Sequence, residues 1–297
     1  MDIQQQLLQD RALDNALLDK GFVVIPFLTP AETDTLVDFY YQHHSLSQEG
    51  LYATAHVADV DFRMKMNNFI KQIFARAIAQ IFINHVPLGG SYIAKGKGAK
   101  GTLEPHQDWN IVDETKFRSF NIWVPLVDLN DDNGVIKILP ESHAWLTTYR
   151  SANISSAFST ANKLLWKEMQ SLYMKKGEAL IYDHRLLHAS GENKTNEIRL
   201  AAVYGIIPEG SEMRYYHKAD TDKIEVFESN PEFFLYGNIF SGPNGLKSLD
   251  KFSFNFPEVN EQALNKYLKR TGASIQEKPL QEKPPSVFQK LKSLLTN

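Results

Sequence analysis

A sandwich or barrel of short β-strands with helices packed outside it is the fold class that this sequence predicts. Helical periodicity dominates residues 3–84. From residue 89 to about 207 the pattern changes to short β-rich runs between turn signals: SYIA, FNIWVPLVDL, GVIKILP, GEALIYD and IRLAAVYGII. Helices first and many short strands afterwards describe a β core with an outer helical layer. The 297 residues, 43% of them apolar, suffice for one large domain with a sizeable core. No repeat of about 20–50 residues divides the chain into modules.

Taken in order, residues 3–19 read as a helix with Leu7, Leu8, Leu13, Leu17 and Leu18 as apolar positions. Residues 21–27 read as a short buried strand. Thr29, Pro30 and Glu32 carry the signals of a capped helix start: a side-chain cap, a proline in the first turn and a capping box. That helix runs to about Tyr41, and residues 43–61 are polar and irregular. A long amphipathic helix follows from about Met66 to Asn84, ending before Pro87. Within the β region, residues 151–172 form a helical insert rich in Ser and Ala. Beyond Pro208, residues 225–228 and 233–236 are aromatic segments that could cover one mouth of the core, and residues 258–271 look helical. Residues 1–275 are expected to form a single domain with this C-terminal extension over the β core. Residues 276–297 are a Pro/Lys-rich linker and a short amphipathic terminal helix, which either docks on its own domain or contacts a partner.

Composition narrows the function. A net charge of −3 gives no basic field for nucleic acid. Cysteine is absent, which excludes disulfides, thiolate zinc sites and cysteine nucleophiles; a metal would have to be held by His, Asp or Glu. No apolar run reaches membrane-spanning length and the N-terminus lacks a signal-peptide pattern, so a soluble cytoplasmic protein is the expectation.

Two stretches carry the chemistry. In LEPHQD (103–108), His106 and Asp108 are two residues apart, and in a strand such residues point to one face. An imidazole and a carboxylate can then reach one ion, as in a 2-His-1-carboxylate site that keeps positions open for substrate and oxygen. The pair alone recurs by chance. The second stretch, GEALIYDHRLLHASGEN (177–193) followed by Glu197, Ile198 and Arg199, gives it weight. Read as a hairpin turning between Asn193 and Lys194, it sets His188 opposite Arg199, with Ser190 on the same face.

Together these residues resemble the phytanoyl-CoA dioxygenase family of iron(II)- and 2-oxoglutarate-dependent oxygenases. The shared pattern is H-x-D, a distal His followed by A-S-G-x-N, and an Arg eleven residues after that His. It extends to Trp123-Val124-Pro125-Leu126, Asp132-Asn133-Gly134 and Pro140-Glu141-Ser142-His143, and covers about residues 18–207. The resemblance implies a double-stranded β-helix, a cupin-like jelly roll that is mainly β with flanking helices. It implies Fe(II), 2-oxoglutarate and O2 as cofactors, with His106, Asp108 and His188 as metal ligands. Arg199 would pair with the distal carboxylate of 2-oxoglutarate, assisted by Ser190, while Trp123 and Ser91 would line the cosubstrate pocket. The implied activity is hydroxylation of an unactivated C–H bond in a small molecule: acyl, amino-acid-derived or natural-product. A non-catalytic or non-redox metal-binding jelly roll is the rival, and it has no need of Arg199 at that spacing.

Other residues are less determined. His184 could be mistaken for the distal ligand but lies fifteen residues before Arg199. His143 suits a structural hydrogen bond. Trp109, Asn110, Arg118 and Tyr204 are candidates for the substrate pocket, with loop packing an equal alternative for the first two. The Gly-rich run 95–101 lacks a P-loop ending and reads as a flexible lip. Its lysines Lys95, Lys97 and Lys100 read as solvated, attraction of an anionic substrate being the alternative.

Overall fold

The computed structural model describes residues 6–44 and 49–270. The expected linker and terminal helix (276–297) lie outside the described residues. Helix α1 (Arg11–Lys20) begins later than its leucine pattern suggests, because the Asp10 side chain caps the N–H groups of Ala12 and Leu13. Leu7 and Leu8 lie before the helix and donate their N–H groups to the buried Asp14 carboxylate, each at 2.9 Å. Gly21, at φ 80°, ends the helix in the left-handed conformation. Strand β1 (Phe22–Pro26) follows, then α2 (Pro30–His43), whose capping box between Thr29 and Glu32 is formed on both sides. After β2 (Leu51–Ala53), one tight helical turn (Thr54–His56) leads to α3 (Val60–Ile81). Asp59 caps α3 and so starts it six residues before the apolar pattern does.

The β core comprises β3 (His85–Lys95), β4 (Leu103–His106), β5 (Phe120–Pro125) and β6 (Ile136–Ile138), then α4 (Asn162–Glu168) and β7 (Gln170–Ser171) from the insert, and β8 (Glu178–Asp183), β9 (His188–Ser190) and β10 (Arg199–Pro208). They form two antiparallel sheets, a large one in the order β1-β8-β5-β10-β3-β2 and a small one in the order β4-β9-β6-β7. This is the jelly-roll arrangement expected, open at the edges and not a closed barrel. Alternation along β10 shows the layering. Leu200, Ala202, Tyr204 and Ile206 pack against Met66, Ile70, Phe74 and Ala77 of α3, while Ala201 and Val203 face Ile136, Ile138 and Leu180 between the sheets. Each large side chain buried in the helical layer contributes about 1.5–3 kcal/mol.

Beyond β10, strands β11 (Arg214–Asp220), β12 (Lys223–Glu228) and β13 (Ser248–Ser253) make a third sheet. The expected aromatic segments become β12 and helix α5 (Pro231–Tyr236), the latter capped by Asn230. Helix α5 docks beside α3: Arg63 donates to the carbonyls of Gly237 (2.8 Å) and Tyr236 (2.9 Å). A side chain at Gly89 would collide with Leu235 of α5, its Cβ falling 2.4 Å from Leu235 Cδ2. Helix α6 (Glu261–Arg270) buries Leu264 and Leu268. No helix among the described residues is long and apolar enough to cross a membrane.

Candidate metal centre

His106 ends β4 and His188 begins β9, and the two are register partners in the small sheet. Partners across an antiparallel pair share a face, which brings the rings to 4.2 Å between centroids. Asp108 arrives differently from the expectation of one strand carrying both ligands. The chain leaves the ladder after His106, the Asp108 N–H donates to the His184 carbonyl (2.8 Å), and the carboxylate enters from the loop. Its Oδ1 lies 3.8 Å from Nε2 of His106 and 3.8 Å from Nε2 of His188. Ligand atoms of the three residues lie within 4.8 Å of one another. These separations are too long for hydrogen bonds and suited to three donors around one ion.

The surroundings orient each donor. His106 Nδ1 faces the Glu104 carbonyl at 2.8 Å and His188 Nδ1 faces the Leu186 carbonyl at 3.0 Å. A carbonyl only accepts, so Nδ1 is the donor in both rings and the Nε2 atoms face the centre. Burial, with His188 nearby, pulls the His106 pKa down to about 4, which keeps this imidazole neutral. Burial opposes the Asp108 charge, but His188, His184, His106 and a hydroxyl bond from Tyr182 outweigh it and hold the carboxyl at about 2. Asp108 Oδ2 accepts from Asn121 Nδ2 (2.8 Å) and the Tyr182 hydroxyl (2.9 Å), leaving Oδ1 for the centre.

The three residues open on a cavity of about 170 Å³ that Trp123, Ser190 and Arg199 also line. Arg199 is 3% exposed. Its guanidinium lies 5.3 Å from the Trp123 ring centroid, its Nε is buried without a partner, and it forms no ion pair among the described residues. Burial pulls its pKa down to about 10, still cationic at neutral pH. A buried charge left without a counter-ion is costly, so this end of the cavity is built for an anion.

The expected hairpin does not form. His188 stands on the small sheet and Arg199 on the large one, and residues 191–198 cross between them. The crossing segment bonds elsewhere: the Asn193 carbonyl accepts from the Gly98 N–H (2.7 Å), and Asn193 Nδ2 donates to the carbonyls of Lys95 (3.0 Å) and Glu197 (2.7 Å). His188 and Arg199 therefore meet face to face across the sandwich.

Several candidates fall away from the cavity. Ser91 shares a strand face with Ile93, but its hydroxyl is engaged by Thr54 Oγ1 (3.1 Å) and the Ala55 N–H (3.0 Å). Asn110 is 4% exposed and spends its Oδ1 on the Arg150 N–H at 2.5 Å, a packing role. Arg118 lies in the field of Asp183, Arg185 and Asp14, outside the residues that line the metal cavity. Tyr204 sits under α3, 5.9 Å from Phe74 between ring centroids. Alternation along β10 already puts it on the opposite face from Arg199. Trp109 packs against Phe240 at 5.7 Å, beside the metal ligand Asp108 but outside the cavity lining. His184 is not one of the three donors; its Nδ1 bonds the Ser119 hydroxyl at 3.0 Å. Sequence reasoning missed Asn121, Tyr182 and Lys95. Asn121 was open to inference, being two residues before Trp123 on one strand.

Comparison with known proteins agrees with this fold. The "Dioxygenase trt7" of Aspergillus terreus (strain NIH 2624 / FGSC A1156) is 26% identical over 110 residues, 35% of this chain and 34% of its own. The "Phytanoyl-CoA dioxygenase domain-containing protein 1" of Danio rerio is 27% identical over 133 residues, 42% of this chain and 46% of its own. The chain thus spans between about a third and a half of the length of these curated relatives. The solved structure of the non-heme alpha ketoglutarate dependent epimerase SnoN from nogalamycin biosynthesis shares the fold, with a TM-score of 0.51 and 19% identity over 83% of this chain and 97% of that one. The sequence profile described as phytanoyl-CoA dioxygenase (PhyH) matches residues 18–201, more than half of the chain, and the protein belongs to that family.

Proposed function

We propose that this protein is an iron(II)- and 2-oxoglutarate-dependent dioxygenase that hydroxylates an unactivated C–H bond of a small molecule. The observation that carries the reading is one cavity holding three facial donors and a buried arginine without a counter-ion. Family membership and the dioxygenase named among its relatives support it. The donor set fits iron: two imidazoles and one carboxylate, each with its second atom already bonded. Bound iron and 2-oxoglutarate would supply the oxygen-activating chemistry, with succinate and CO2 released from the keto acid.

The residues have separable tasks. His106, Asp108 and His188 would hold the ion, and three protein donors would leave positions for other ligands. Arg199 offers its planar fork to the distal carboxylate, and Trp123 packs against the guanidinium. Ser190 lines the same cavity as Arg199. Asp108 fills one position with a negative charge, which disfavours a second anion such as chloride and makes an alcohol the expected product. Phe240 packs on Trp109 next to the metal ligands, so we assign part of the C-terminal extension to the substrate side of one catalytic unit. The decisive experiment is anaerobic titration with iron(II) and 2-oxoglutarate, followed by labelled oxygen and a metabolite panel. Succinate with one labelled oxygen in the product is expected. Wild-type protein that binds iron but not 2-oxoglutarate would overturn the reading.

A further inference from the structure

Lys95 is not the solvated lysine that its glycine-rich setting suggests: it is 0% exposed. It ends β3 as the register partner of Arg199, so two basic side chains sit side by side. The stem runs through a channel that glycines keep open. A Cβ at Gly101 would fall 2.9 Å from its Cγ, and one at Gly134 would fall 3.0 Å from its Cδ. The Nζ group crosses to the small sheet and donates to the carbonyls of Ser190 (3.1 Å) and Gly191 (2.6 Å) and to Ser190 Oγ (2.5 Å). All three partners are uncharged, and no carboxylate among the described residues pairs with Lys95.

On the reading given above, we propose that Lys95 is a positioning residue for the distal carboxylate of the cosubstrate. It aims the Ser190 hydroxyl at that carboxylate and adds a second positive charge behind Arg199. A hydroxyl has one proton and two lone pairs. As the ammonium that a bound anion favours, Lys95 spends two protons on carbonyls, which only accept, and its third on Ser190 Oγ. The Ser190 proton must then point away from Lys95, and Ser190 lines the cavity that Arg199 also lines. A carboxylate there meets the guanidinium fork and a polarised hydroxyl together. Burial, and after it the Arg199 charge, pull the Lys95 pKa down to about 6. An anion bound beside Arg199 acts in the opposite sense and favours the ammonium, so anion and aimed hydroxyl reinforce each other.

The test is anaerobic 2-oxoglutarate binding to metal-loaded protein, with the metal affinity and thermal midpoint of each variant measured alongside. Lys95→Met and Ser190→Ala should each raise the 2-oxoglutarate Kd by at least about tenfold. The double variant should be little worse than the weaker single one, because one residue acts through the other. Binding of 2-oxopentanoate, which lacks the distal carboxylate, should be indifferent to both changes, as should metal affinity. A folded Lys95→Met that binds 2-oxoglutarate as wild type does would overturn the proposal, as would equal losses for 2-oxopentanoate. Should Lys95→Met fail to fold, an unchanged 2-oxoglutarate Kd in Ser190→Ala overturns it and a tenfold rise confined to 2-oxoglutarate supports it. Wild-type protein that does not bind 2-oxoglutarate refutes the dioxygenase reading instead.

Discussion

At the scale of single residues, the proposed function divides the centre into groups that would hold an ion and groups that would receive an anion. His106→Ala removes one of three donors at a partly exposed strand end. It should abolish metal binding, read as metal content, while the unfolding midpoint stays close to wild type. Arg199→Ala removes the charged partner of a buried carboxylate, a loss of about 2–5 kcal/mol, so the 2-oxoglutarate Kd should rise more than tenfold. An unchanged Kd would move the anchor to Lys95, since Arg185 is engaged by Asp183. The spacing of His106, Asp108, His188 and Arg199 was legible in the chain because these groups repeat a recognisable pattern. Tyr204 falls on the helical face of β10, as strand alternation requires, and the Asn110 side-chain carbonyl oxygen is taken by the Arg150 N–H. Lys95 was illegible: nothing local to KGKGAKG tells which lysine has a buried channel, since that channel is made by Gly134 and Ser190, far along the sequence.

At the scale of elements, side-chain caps decided what apolar periodicity left open. The capping box of α2 was readable from Thr29 and Glu32, whereas Asp10 and Asp59 shifted the starts of α1 and α3 from their apolar patterns. The segment after β9 shows a different limit: two strands joined by a polar turn look like a hairpin even when the chain changes sheets, because partners such as Gly98 are remote. At the turn between β8 and β9, Asp183 is 1% exposed and bonds Arg185 at 2.9 and 2.6 Å. Burial works against the Asp183 charge, but Arg185 outweighs it and lowers the carboxyl from 3.8 to about 2. A depressed folded-state value means the contribution is complete above the unfolded value and vanishes as pH falls through the folded one. Asp183→Asn should therefore be less stable than wild type at neutral pH, by about 2–3 kcal/mol. In urea unfolding the gap should narrow below about pH 4 and close near pH 2. A gap independent of pH would assign the loss to packing.

At the scale of the whole molecule, the sequence showed the order of layers, helices first and short strands after, and so the jelly roll. It did not show the third sheet, because β11 to β13 pair only with one another and carry no motif. A chain ending near residue 210 should lose turnover, since it lacks the Phe240 that packs on Trp109. Deletion of residues 276–297 should leave turnover intact, and full activity in the shorter chain would remove the extension from the site. The candidate metal donors His106 and His188 belong to the small sheet and Arg199 to the large one. The spacing between two packed sheets is set by interdigitated side chains and does not stretch continuously. The sandwich is therefore a ruler for the molecule that bridges it. A keto diacid one carbon shorter, oxaloacetate, should leave one grip unmade, and one carbon longer, 2-oxoadipate, should have to buckle. Competition assays against 2-oxoglutarate should rank both far below it, and equal affinities would mean that the gauge is loose.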